Sequence, residues 1–190
     1  METLRRIVYL IVRPDQEWEA IAREPIGVDA LIRRYILPLS MLAPIATVIG
    51  MKTFDRDWDP GAGYLVPNEQ IFSAGAATLF GTIMSIFLLA AIFKTIAPMY
   101  DSSRSYVEAL KVATFGAIPV LLAGALLFIP ALVIVPVVAL CHTLYLYWLG
   151  VRRVLAVSPG AQTEFIGISM TLLVGLSAVI GAIAGSIGIF

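Results

Sequence analysis

The sequence predicts an all-α fold, a polytopic membrane bundle of five transmembrane helices with short amphipathic N-terminal helices at the cytoplasmic interface. Three observations predict it. First, 59% of the 190 residues are hydrophobic and only 14% are charged, against about 25% charged in an ordinary soluble domain; the mean hydropathy is +0.92. Second, residues 107–150 form an almost unbroken apolar run. One straight helix of that length would extend about 66 Å, roughly twice a hydrocarbon core of about 30 Å. The chain must cross a bilayer twice there, turning near Ile129, Pro130 and Ala131, because proline lacks an N–H and disfavours helix at the residue before it. Third, five spans would place eleven of the thirteen basic residues on one side of the membrane.

A single membrane domain, 1–190, accounts for the chain. Its first 34 residues read as an interfacial segment. Leu4, Ile7, Val8 and Ile11 share one face of a helix too short to span, while Arg5, Arg6 and Arg13 point elsewhere. Pro14 suits the first turn of a second short helix, with Asp15, Glu17 and Glu19 favouring its dipole and Trp18, Ile21 and Ala22 on one face. Pro25 and Gly27 end it, and Asp29 is the expected N-cap of the next helix. The first span covers about 35–51, with Pro38 and Pro44 bending it. A polar loop precedes the second span, 71–96, which carries Ser73, Ala77, Gly81 and Ser85 at intervals of four, a stripe where another helix can approach closely. Pro98 stops that helix. Ser105 and Glu108 fit a capping box at the start of the third span, 107–128, which contains Pro119. The fourth span, 131–149, contains Pro136 and ends in Tyr145, Tyr147 and Trp148, an interfacial aromatic belt. The fifth, 165–190, repeats the small-residue spacing with Ser177, Gly181 and Gly185. These stripes read as packing within the bundle or as the interface of a homodimer.

Five spans put the termini on opposite sides. Eleven of the thirteen basic residues then share one side: Arg5, Arg6, Arg13, Arg23, Arg33 and Arg34 before the first span, Lys94, Arg104 and Lys111 around the second connection, and Arg152 and Arg153 after the fourth span. Only Lys52 and Arg56 face the other side. The positive-inside rule makes the first side cytoplasmic, so the N-terminus is expected inside and the C-terminus outside. No cleavable leader is expected, since the apolar run over 7–12 is shorter than a signal core and Arg13 and Pro14 follow it.

Several motifs occur in an order that resembles a known family. Arg13-Pro14 with Trp18, Ile21 and Glu24, then Tyr35-Ile36-Leu37-Pro38 and Ile49-Gly50, resemble the N-terminal part of bacterial members of the Ypt-interacting protein (Yip) family. The run from Tyr106 to Val112 with Pro119, and the run from Tyr147 to Arg152, resemble its central region. The resemblance covers most of the chain. It implies a five-span helical protein of the bacterial inner membrane without known enzymatic activity, whose eukaryotic relatives are linked to vesicle trafficking, Rab-type GTPases and membrane shaping.

The candidate sites are few. His142, the only histidine, lies well inside the fourth span, where an ionisable side chain suggests function. It reads either as a proton- or ligand-binding group or as a neutral histidine bonded to a neighbouring helix. With no carboxylate at membrane depth it builds neither a relay nor a metal site by itself. A polar path through the bundle would combine His142 with Thr143, Ser85 and Thr82. Lys94, Asp101, Arg104, Glu108 and Lys111 gather at the cytoplasmic ends of the second and third spans, with Trp18 and Glu24 docking from the N-terminal helix. They read as paired interfacial charges that fix helix depth, or as a headgroup- or partner-binding cluster. Asp55, Asp57 and Asp59 alternate like the start of a calcium loop, but the sixth and twelfth positions are Pro60 and Val66 instead of glycine and glutamate, so a solvated outer loop is the better reading.

No HExxH, GxSxG, P-loop or GxGxxG is present, so no enzyme, catalytic residue, metal or cofactor is expected. Zero net charge gives no electrostatic basis for nucleic-acid binding, and the lone Cys141 allows no intrachain disulfide. The bilayer is the certain partner; a second copy or an unidentified membrane or cytoplasmic protein is the further expectation. Two functions remain: a non-enzymatic organiser of membrane or partner proteins, and a small transporter or lipid-translocating protein using the path near His142. They differ in one structural expectation, a dry core against a hydrated cavity.

Overall fold

Helices are the natural answer for apolar segments of this length, because in lipid every backbone polar group must find a partner within its own segment. The computed structural model describes residues 2–54, 67–102, 105–126, 129–132 and 134–186, and within them it contains helices, turns and no strand. The outer loop with Asp55, Asp57 and Asp59 lies outside the described residues, as does Arg104.

Two short helices, α1 (Glu2–Val12) and α2 (Pro14–Arg23), pack against each other. Pro14 opens α2 as expected, with Asp15 and Glu17 in its first turn. The first span is a chain of short pieces: α3 (Val28–Leu31), a π-helical turn (Ile32–Ile36), α4 (Leu37–Ser40) and α5 (Leu42–Phe54). Its start differs from the expectation. Gly27 is the N-cap, and Asp29 is the second residue of the helix, in its first turn, where it pairs with Arg33 at 2.8 Å. Apolar Val28 and Leu31 extend the helix towards the N-terminus of the apolar run. The π-turn has a local cause in Pro38, whose ring crowds the carbonyl four residues back. The Leu37 N–H instead donates to the Ile32 carbonyl, five residues back.

α6 (Asn68–Ile96) ends in a 3-10 turn over Ala97–Tyr100 that contains Pro98. Asp101 follows in the left-handed region, φ 57°, which aspartate tolerates better than most residues. α7 (Tyr106–Gly116) opens with the predicted capping box: the Ser105 hydroxyl accepts from the Glu108 N–H at 3.4 Å, and the Glu108 carboxylate accepts from the Ser105 N–H at 2.8 Å. α8 (Ile118–Gly124) continues it after a 45° bend, placed by Pro119 in its first turn. A 3-10 turn over Pro130–Leu132 marks the predicted reversal, followed by α9 (Ile134–Arg153) and α10 (Gln162–Ser186).

Among the described residues, four helical stretches are each long and apolar enough to cross a membrane, Val28–Thr53, Asn68–Tyr100, Ile134–Arg153 and Gln162–Ser186. The bent pair α7 and α8 makes a fifth if it acts as one span. α6 packs against α5, α7 and α10, while α9 packs against α7, α8, α10 and α2. The core gathers at one end of the bundle. Its fully buried members include Trp18, Phe93, Phe115, Leu146 and Phe165. That end also carries the basic residues Lys111, Arg152 and Arg153. Towards the other end α10 leaves the bundle: only Gln162, Phe165, Ile166 and Ser169 of it are buried. Such a splayed helix costs little in a bilayer, where lipid is as apolar as the side chains it covers.

Candidate functional site

The basic end is where distant parts of the chain converge. Trp18 of α2 is fully buried. It seats over Gly150 of α9, so closely that a Cβ there would lie 2.7 Å from the indole. Its ring meets Phe115 of α7 edge-on, 6.4 Å between centroids, and Phe115 meets Tyr35 of the π-turn at 4.8 Å. Three aromatic rings thus join α2, the third span and the first span, in the edge-to-face arrangement that the ring quadrupole favours.

Charge completes the docking. Arg6 of α1 bridges Glu17 at 3.0 Å and Glu24 at 2.5 Å. Burial works against its charged form, but Glu24 and Glu17 outweigh that penalty and hold the guanidinium protonated more firmly than usual. Arg153 of α9 reaches Glu19 at 3.0 Å and Asp15 at 3.6 Å. The Lys111 ammonium, almost fully buried, donates to the backbone carbonyl of Glu24 at 2.5 Å. A small polar cleft of about 300 Å³ lies beside these groups, lined by Glu19, Ala22, Arg23, Glu108, Arg153 and Val154.

Of the cluster expected from sequence, Trp18, Glu24 and Lys111 therefore come together, and Glu108 stands on the rim of the same cleft. Lys94 is half-buried in the last turn of α6, and Asp101 is exposed beyond it. Arg6, Asp15, Glu17, Glu19 and Arg153 are partners that sequence reasoning missed. Arg6 and Glu17 are eleven positions apart on different helices, so helical spacing gives no signal for the pair. The excess of acid in the first turn of α2 was visible, but its partners were not.

The four polar residues at membrane depth are arranged differently. Thr143, nearly fully buried, accepts through its hydroxyl from the Val120 N–H at 3.3 Å. That N–H lies just past the α7–α8 bend, so Thr143 satisfies a donor released by the break. Thr82 donates to the Thr78 carbonyl at 2.7 Å, and Ser85 to the Thr82 carbonyl at 2.8 Å. His142 is half-buried, its ring 5.9 Å from that of Tyr145 on the same helix, and its Nε2 is shielded without a hydrogen-bond partner. Among the described residues no group of three or more histidine, cysteine, aspartate or glutamate side chains is placed to hold a metal ion. Thr143→Val keeps the shape and removes the acceptor. It is expected to destabilise the protein by about 1 kcal/mol, read as a lower melting temperature in detergent.

Ser85 also borders a cleft of about 730 Å³ between α6 and α10, almost wholly apolar, with Gly81, Ser177 and Gly181 on its walls. A Cβ added at Gly81, Gly181 or Gly185 would meet nothing within 4 Å. Close helix approach within the chain occurs elsewhere, at Gly75 against Val48, Gly116 against Tyr147, Gly124 against Ala43 and Gly150 against Trp18.

A family model described as the Yip1 domain matches residues 8–183. Searches of curated proteins and of solved structures gave no match.

Proposed function

Because the chain belongs to the Yip1 domain family, matched over residues 8–183, we propose that it is a non-enzymatic membrane protein that organises the bilayer or partner proteins. One observation carries this reading against transport. Three of the four polar side chains of the expected path serve nearby backbone: Thr82 and Ser85 bond carbonyls of their own helix, and Thr143 bonds the broken third span. The sizeable cleft near them is apolar. A conducting path needs donors and acceptors left over to replace the water of a permeant ion or headgroup. The docked hairpin at the basic end offers instead a rigid, charged surface outside the spans.

The distribution of basic residues supports an N-terminus in the cytoplasm and a C-terminus outside, and the resemblance to bacterial members of the family supports a bacterial inner membrane. A second copy of the chain is the intramembrane partner that the open glycines of α6 and α10 suit. Purified protein in liposomes is expected to give no ion leak and no lipid scrambling above empty liposomes, with His142→Ala indistinguishable from the unchanged protein. Flux that falls in His142→Ala would replace this reading with transport.

A further inference from the structure

The first helix has more apolar surface than its own chain uses. At about 100° per residue, the α1 side chains fall into two sectors. Ile7, Leu10 and Arg6 form one, and all three turn inward: Leu10 is fully buried, Ile7 nearly so, and Arg6 is held by Glu17 and Glu24. Ile11, Leu4, Val8 and Val12 form an adjacent sector about 100° wide, and it is uncovered. Leu4 is 70% exposed and Val12 67%, with Val8 and Ile11 also exposed. Arg5 and Tyr9 flank this face on the far side, the guanidinium 5.9 Å from the ring centroid. Arg13, just past the helix end, is exposed too.

We propose that α1 is an in-plane membrane anchor: its Leu4, Val8, Ile11 and Val12 face lies among the acyl chains of the leaflet at the basic end, with Arg5 and Arg13 on anionic headgroups. Two features select lipid as the occupant. The hairpin docks through Trp18 on Gly150 of α9 and Phe115 of α7 and is met there by Arg153 and Lys111, at the basic ends of the same two helices, so α1 is fixed near the level where those helices leave the hydrocarbon. A bilayer is therefore already beside it. The uncovered face is also bordered by arginine and tyrosine, the residues that suit the boundary between acyl chains and phosphate. The inward sector locks α1 to the bundle, so the anchor sets the height of the whole basic end against the leaflet. The inference rests on the membrane character of the bundle alone and stands whether or not the bundle conducts.

The test uses the full chain in nanodiscs of phosphatidylcholine, alone or mixed with phosphatidylglycerol. A spin label is placed at Val8→Cys or at Ala20→Cys, each with Cys141→Ala. Ala20 lies on the exposed side of α2 and serves as the aqueous reference. The label at position 8 is expected to collide far more with lipid-soluble oxygen than with an aqueous nickel chelate, the reverse of position 20. Phosphatidylglycerol should strengthen that contrast. Arg5→Gln and Arg13→Gln should each weaken the anionic gain about fivefold, as expected for one basic residue near such a surface. Equal nickel access at positions 8 and 20 would overturn the proposal. So would shielding of position 8 from both probes, which would mark a protein cover. Indifference to phosphatidylglycerol would overturn the assignment of Arg5 and Arg13 to headgroups.

Discussion

Trp18→Ala is expected to undock the N-terminal hairpin and to cost about 3–5 kcal/mol of stability, the usual range for emptying a buried tryptophan site. The indole is fully buried and is shared by α2, α7 and α9. Its loss leaves a void that three elements cannot close together, because Phe115 is also held by Tyr35. The hairpin's ion pairs would not keep it in place. Arg153 is a third exposed, and pairs of that kind contribute roughly 1 kcal/mol or less. The indole Nε1 has no hydrogen-bond partner, so Trp18→Phe gives up only part of the packing and should stay docked. Limited proteolysis between α2 and α3 separates the two variants: rapid cleavage for Trp18→Ala, resistance for Trp18→Phe. Equal resistance in both would show that charge alone holds the hairpin.

Gly116→Leu is expected to have the next largest effect, at the closest of the helix approaches. A Cβ at position 116 would fall 2.3 Å from the Tyr147 ring, and overpacking of this kind costs about 1–3 kcal/mol or more. The ring cannot step aside cheaply. Tyr147 is buried, meets Phe93 edge-on at 5.9 Å and donates its hydroxyl to the Ala113 carbonyl at 3.4 Å. It therefore clamps α9 to both α6 and α7. The expected readout is loss of monodisperse protein on size-exclusion chromatography, with partial rescue when Tyr147→Ala is added. The same substitution at Gly81, where nothing lies within 4 Å of the Cβ position, should leave the monomer's stability nearly unchanged.

These two sites show what the sequence could and could not disclose. Length and apolarity announced the spans, and proline marked where helices begin, bend or stop, as at Pro14, Pro98 and Pro130. The Ser105 and Glu108 capping box was local enough to read directly. Glycine spacing was misleading as a guide to contact. The regular stripes of α6 and α10 have open space around Gly81, Gly181 and Gly185, while the isolated Gly116 and Gly150 receive the two largest neighbouring rings. Spacing reports which residues share a face; it does not report which face meets a neighbour. The amphipathic face of α1 was similarly half legible. Ile7 shares a stripe with Leu4, Val8 and Ile11 in sequence, yet it turns inward with Leu10, because the docked partner sits to one side of that stripe. The ion pairs of Arg6 and Arg153 link helices with no local periodic relation, so pattern alone could not pair them. The role of Thr143 depended on the bend across from it.

The central claim is that Thr82, Ser85 and Thr143 are tied to backbone and define no water-filled route. It is tested most directly by single cysteines at Thr82, Ser85 and Thr143, each with Cys141→Ala, probed in membranes with a water-soluble thiol reagent. The account predicts that none of the three labels while the folded protein stays intact, and that a cysteine at Ala20 labels fully. Labelling of all three in the folded protein would reveal a hydrated path through the bundle and contradict it.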